Sequence, residues 1–146
     1  MNDKSKAPNF LGLIDENNQI SLSDYKGSFL VLYFYPKDKT SGCTIQSQDF
    51  RDYKKKFANK NCKIIGISRD SIKSHKSFTE KESLNFPLIS DPDETMCNAY
   101  GVMKEKSMYG RKYMGIERST FVIDPDGILI KEWRGVKVPG LSLIHI

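Results

Sequence analysis

Cys43 is the residue around which chemistry can be built. It follows Pro36, Thr40, Ser41 and Gly42, and apolar residues then recur at Ile45, Phe50, Tyr53 and Phe57. Proline ends a strand, Thr40 or Ser41 can cap a helix, and the later spacing is close to helical, so Cys43 falls in a first helical turn. Free backbone N–H groups and the positive end of the helix dipole favour a thiolate there, and the same groups can hold a polarised ligand oxygen. A thiol pKa lowered from about 8.5 to about 6 would raise the thiolate fraction at neutral pH roughly thirtyfold. With a Brønsted slope of about 0.4–0.5, the same shift costs about tenfold in nucleophilicity. The net gain is a few fold. A fast Cys43 therefore needs partners that polarise its target.

The elements that must position Cys43 are readable around it. Phe29 to Tyr35 is an unbroken apolar run between Gly27 and Pro36, as expected of a central strand covered on both faces. Cys62 to Ser68 (CKIIGIS) reads as a second buried strand, and strand, helix, strand implies a right-handed crossover and a parallel pair. Before them, Phe10 to Leu22 with a polar Asp15–Asn18 loop reads as a hairpin. After them, Asp70 or Ser71 caps a helix with a thin apolar stripe of Ile72, His75, Phe78 and Leu84, and a short helix from Glu94 to Tyr100 ends at Gly101. Residues 102–115 (VMKEKSMYGRKYMG) have no clean period and read as a surface loop. Ile116 to Ile123 and Gly127 to Trp133 read as strands joined by a DPDG turn. The fold class is α/β, a mixed central sheet flanked by helices with an N-terminal hairpin.

Composition narrows the function classes. The 146 residues, 38% hydrophobic and 28% charged, suit one soluble domain. No apolar run approaches the roughly 20 residues of a membrane span, and the start lacks a targeting pattern, so the protein is expected to be cytoplasmic. Residues 1–7 read as a flexible tail, 8–140 as the domain and 141–146 (LSLIHI) as an atypical C-terminal tail. Three cysteines, Cys43, Cys62 and Cys97, without CxxC spacing argue against a disulfide framework or a zinc site, and no metal or other cofactor is expected. The formal charge of +5 is spread along the chain, and Lys54-Lys55-Lys56 reads as a solvated helix face, not a nucleic-acid site. His75 reads as a half-buried helix residue remote from Cys43.

The pattern Pro36-x3-Thr40-x2-Cys43, with Arg118 in GIERSTFVID, resembles the active-site signature of the peroxiredoxins. YFYPKD, CTIQSQDFRD, SDPD, AYGV and YMGIERSTF resemble the bacterioferritin comigratory protein or Q-type subfamily, from about Pro8 to Arg134. The resemblance implies a thioredoxin-like fold and reduction of hydrogen peroxide and organic hydroperoxides without metal or flavin. It also implies a monomer, with thioredoxin or another small thiol as reductant. By position, it makes Cys43 the peroxidatic cysteine, Pro36 its shield, and Thr40 and Arg118 the side chains that orient peroxide. Backbone N–H groups of Gly42 and Cys43 can add donors, and Gln46, where many relatives carry glutamate, can still hydrogen-bond an arginine.

Ser41 stands where relatives usually have proline. Gln48 and Thr79 stand at the two positions where relatives place a resolving cysteine. A one-cysteine cycle resolved by an external thiol is therefore expected, with Cys62 and Cys97 as packing residues. The alternatives are a two-cysteine cycle through Cys97, a thiol–disulfide oxidoreductase, disfavoured because Cys43 has no CxxC partner, and a non-enzymatic thioredoxin-like binding module.

Overall fold

A computed structural model of the chain describes residues 5–38, 44, 47–48, 51–52 and 61–134. Cys43, Thr40, Gly42, Gln46, the lysine run and the C-terminal tail lie outside the described residues. The described strands are β1 (Ser5–Lys6), β2 (Leu11–Leu13), β3 (Gln19–Ser21), β4 (Phe29–Phe34), β5 (Cys62–Ser68), β6 (Leu88–Ser90), β7 (Met103–Met108), β8 (Arg111–Ile116), β9 (Ser119–Ile123) and β10 (Ile128–Arg134). Among the described residues, the α-helices with both ends described are α1 (Ile72–Glu82) and α2 (Thr95–Ala99). Eight strands form one mixed sheet in the order β1-β10-β9-β4-β5-β6-β2-β3. The apolar runs of β4 and β5 occupy its centre as a parallel pair from Phe29↔Cys62 to Phe34↔Ile67.

Alternation along β4 divides the core. Leu30, Leu32 and Phe34 join Phe121, Met96, Cys97 and Tyr100 on one side, and Val31, Tyr33 and Tyr35 join Phe78, Phe86 and Leu88 on the other. α2 therefore packs on the first side and α1 on the second. α1 begins at Ser71, whose hydroxyl accepts from the Ser74 N–H, and ends at Ser83 in the left-handed region. Gly66 on β5 leaves the room that Tyr33 occupies, since a Cβ there would stand 2.7 Å from the Tyr33 ring and from Leu88.

Three expectations change. Ser5–Lys6, expected in a flexible tail, pair with β10, and the Ala7 N–H bonds the Gly127 carbonyl at 3.0 Å. The expected loop over residues 102–115 is a separate two-stranded hairpin, β7 with β8, closed by Tyr109 and Gly110 at positive φ. Two positive φ values in a two-residue turn match the twist of the strands it joins. The strand expected from Ile116 to Ile123 is broken at Glu117 and Arg118, where the Glu117 N–H bonds the Val102 carbonyl at 2.7 Å.

Candidate active site

The ends of three central strands meet at one edge. β4 runs out at Phe34 into Tyr35 and the half-buried Pro36, beside the end of β5, whose Ile67 carbonyl accepts from the Tyr35 N–H at 3.0 Å. On the other side β9 is antiparallel, with Phe34 opposite Ser119. The next positions outward are Tyr35 and Arg118. Sheet register thus brings Arg118 beside the segment that leads to Thr40 and Cys43, although 75 residues separate it from Cys43. The Ser119 hydroxyl donates to the Glu117 carbonyl at 2.8 Å and braces the turn that carries Arg118.

Beyond the segment, Thr44, Ser47, Gln48, Arg51 and Asp52 are helical, which agrees with the spacing after Cys43. This helix is held on the Tyr33 face. The Ser47 and Tyr33 hydroxyls share a buried hydrogen bond of 2.9 Å. Gln48 donates from Nε2 to Glu82 Oε1 at 2.7 Å, and Arg51 Nη1 donates to the Glu82 carbonyl at 2.6 Å. Gln48, one of the two positions read as lacking a resolving thiol, is thus a brace to the end of α1. Thr79, the other, lies on α1 in the wall of a cleft of about 450 Å³ with Ile14, Phe86, Pro87 and Leu88.

Sequence reasoning missed the cluster before the site. His75 is only 2% exposed, not half-buried, and it faces Asp38, which is 4% exposed and precedes Cys43 by five residues. Asp38 Oδ2 accepts from the Ser74 hydroxyl at 2.9 Å and lies 2.7 Å from His75 Nδ1, while Oδ1 accepts from the Tyr35 hydroxyl at 2.6 Å. Burial first, then neighbouring Tyr33 and Asp38, push the Tyr35 phenol well above its usual range, so it stays a donor. The Asp38 N–H donates to Asp70 Oδ2 at 2.8 Å, and that oxygen also accepts from Ser68 at 2.6 Å. Asp38, Asp70 and His75 offer ligand atoms within 4.8 Å of one another, a spacing a cation could use. Those atoms are already engaged by hydrogen bonds. The available signal was a histidine in the apolar stripe of a helix, which needs a buried polar partner.

Neither described cysteine is placed for chemistry at this edge. Cys62 pairs with Phe29 at the far end of β4, roughly 20 Å from Pro36 by strand rise. Its thiol is pushed by burial from 9.0 up to about 11. Cys97 is fully buried, and burial, then the Asp91 carboxylate, push its thiol far up. A thiol with a raised pKa in the folded state stabilises fully below its unfolded pKa and loses that contribution as pH climbs through the folded value. The urea midpoint is therefore expected to hold between pH 7 and about 8.5 and to fall between about 9 and 11, with a smaller fall in Cys62→Ala. An unchanged fall in Cys62→Ala would remove Cys62 as a cause.

Residues 4–132 match the AhpC/TSA family. The chain belongs to that family. It is 51% identical over 133 residues to peroxiredoxin Bcp of Bacillus subtilis, covering 91% of this chain and 85% of that protein. The Xylella fastidiosa PrxQ structure, a cysteine mutant, superposes with a TM-score of 0.93 at 42% identity, covering 99% of this chain and 92% of that one. A Xanthomonas campestris bacterioferritin comigratory protein, described for alkyl peroxide reduction, gives 0.85 at 45% identity, covering 94% and 86%. These likenesses make the sheet and its flanking helices a thioredoxin-like peroxiredoxin fold. Two cysteine-to-serine mutants of Xanthomonas campestris peroxiredoxin Q are 36 positions apart. Cys43 and Thr79 have the same separation in this chain. No helix among the described residues is long and apolar enough to cross a membrane.

Proposed function

We propose that this peroxiredoxin reduces hydrogen peroxide and organic hydroperoxides through Cys43, in a one-cysteine cycle completed by thioredoxin or another small thiol. The observation that supports it is the register of β4 and β9, in which Phe34, at the end of β4, lies opposite Ser119, the neighbour of Arg118. The Cys43 thiolate attacks one peroxide oxygen, the O–O bond breaks, and the departing alkoxide or hydroxide takes a proton. Cys43 is left as a sulfenic acid. An external thiol condenses with it, releasing water and forming a mixed disulfide, and a second thiol releases Cys43 reduced. Arg118 stabilises the thiolate and the charge that grows on the leaving oxygen, Thr40 and the N–H groups of Gly42 and Cys43 orient the peroxide, and Gln46 holds the arginine. Pro36 shields the thiol from water. The protein acts as a cytoplasmic monomer.

Burial of Cys97 and the far position of Cys62 support resolution from outside the chain. Peroxide consumption with a supplied thiol tests this. Cys43→Ser is expected to lose turnover, while Cys62→Ala and Cys97→Ala keep it. Lost turnover in Cys97→Ala with the fold intact would favour the two-cysteine cycle instead.

A further inference from the structure

The group of buried polar side chains around Asp38 is unusual in what it fastens. It joins the segment after β4 to α1 through Ser74 and His75, and to the end of β5 through Ser68 and Asp70. β6 joins through the Ile89 carbonyl, 3.0 Å from His75 Nε2, and through the Ser90 hydroxyl, which donates to the Asp70 carbonyl at 2.6 Å. A carbonyl oxygen only accepts, so His75 carries hydrogen on Nε2. Asp38 is thereby fixed through both its side chain and its own N–H.

From this geometry we infer that Asp38 and His75 are positioning residues for the peroxide step, holding the segment that carries Thr40 and Cys43 in its reactive shape. The inference rests on the proposed function. Thr40 follows Asp38 by two residues, so its Cα can lie no more than about 7 Å away. A shift of Asp38 therefore displaces the chain within two residues of Thr40. Displacing a reacting group by about 1 Å costs on the order of a hundredfold in rate. Attack on a peroxide needs the thiolate, the hydroxyl and the arginine in register, whereas alkylation by a small haloacetamide needs the thiolate alone.

Those two reactions separate positioning from mere stabilisation. At constant pH, the second-order rate constants of Cys43 with hydrogen peroxide and with iodoacetamide are measured in wild type, Asp38→Ala, His75→Ala and Asp38→Asn, well below each unfolding temperature. Both alanine variants are expected to lose about thirty- to a hundredfold toward peroxide and less than about threefold toward iodoacetamide. Asp38→Asn, whose amide can still accept from Tyr35 and donate to His75, is expected to recover most of the peroxide rate. Should an alanine variant fail to fold, His75→Gln carries the same comparison, with about a tenfold loss toward peroxide only. Wild-type peroxide rates in the folded variants, or equal losses in both reactions, would overturn the inference. A wild-type protein inert to peroxide would overturn the proposed function itself.

Discussion

Arg118→Met is expected to lower the second-order rate constant for peroxide about a hundred- to a thousandfold, and the rate of Cys43 alkylation only a few fold. The asymmetry follows from the thiolate arithmetic. Lowering the pKa of Cys43 gains only a few fold in reactivity, because nucleophilicity falls with basicity. Most of the acceleration must come from charge stabilisation at the oxygen that leaves. The β4–β9 register pairs Phe34, at the end of β4, with Ser119, the residue after Arg118, and the proposed role gives the Arg118 guanidinium that charge to stabilise. Methionine keeps much of the apolar stem and removes the donors, so the half-buried turn between β8 and β9 is not emptied. Stopped-flow rates for both reagents at one pH are the readout. Equal peroxide rates in mutant and wild type would end the assigned role.

Thr79→Cys is expected to convert the cycle. Peroxide treatment of wild type should leave a sulfenic acid that dimedone traps almost completely. In Thr79→Cys most of it should become an internal disulfide, seen as the loss of two hydrogens. Position 79 lies on α1, whose last turn is tied to the helix after Cys43 by Gln48 and Arg51. Its side chain borders the 450 Å³ cleft, so a thiol there would have room to turn. Bridging needs the two Cα atoms within about 7 Å, and the bonds to Glu82 fix where Gln48 and Arg51 sit against α1. Adding Gln48→Ala should therefore speed closure of the bridge. Persistence of the full dimedone adduct in Thr79→Cys would show that α1 and Cys43 cannot meet.

The central strands and the hairpin of β2 and β3 were legible because their signals are local. β4 is a closed apolar run and Asp15–Asn18 a compact turn. β7 and β8 were not, because they pair only with each other and Lys104, Glu105, Arg111, Lys112 and Tyr113 are all exposed. No buried face imposes an alternating pattern on such a hairpin. The break at Glu117 and Arg118 was hidden inside GIERSTFVID, which reads as one strand until the hydrogen bond from Glu117 to Val102 ends it. Arg118 itself became legible only through the resemblance, since no local pattern connects it to Cys43. The Asp38–His75 contact spans 37 residues and depends on α1 lying across the end of β4. Sequence spacing carries no trace of that crossing. The histidine in an apolar stripe, read as half-buried, was the one local hint of a buried partner, and only the fold shows which.

In the proposed cycle Cys43 alone takes the oxidising equivalent, and no thiol within the chain resolves it quickly. Intact mass after one equivalent of hydrogen peroxide with dimedone present, on wild type and Cys43→Ser, tests it most directly. One dimedone adduct is expected on wild type and none on Cys43→Ser. Loss of two hydrogens from wild type without an adduct would contradict it, because Cys62 or Cys97 would then have reached Cys43.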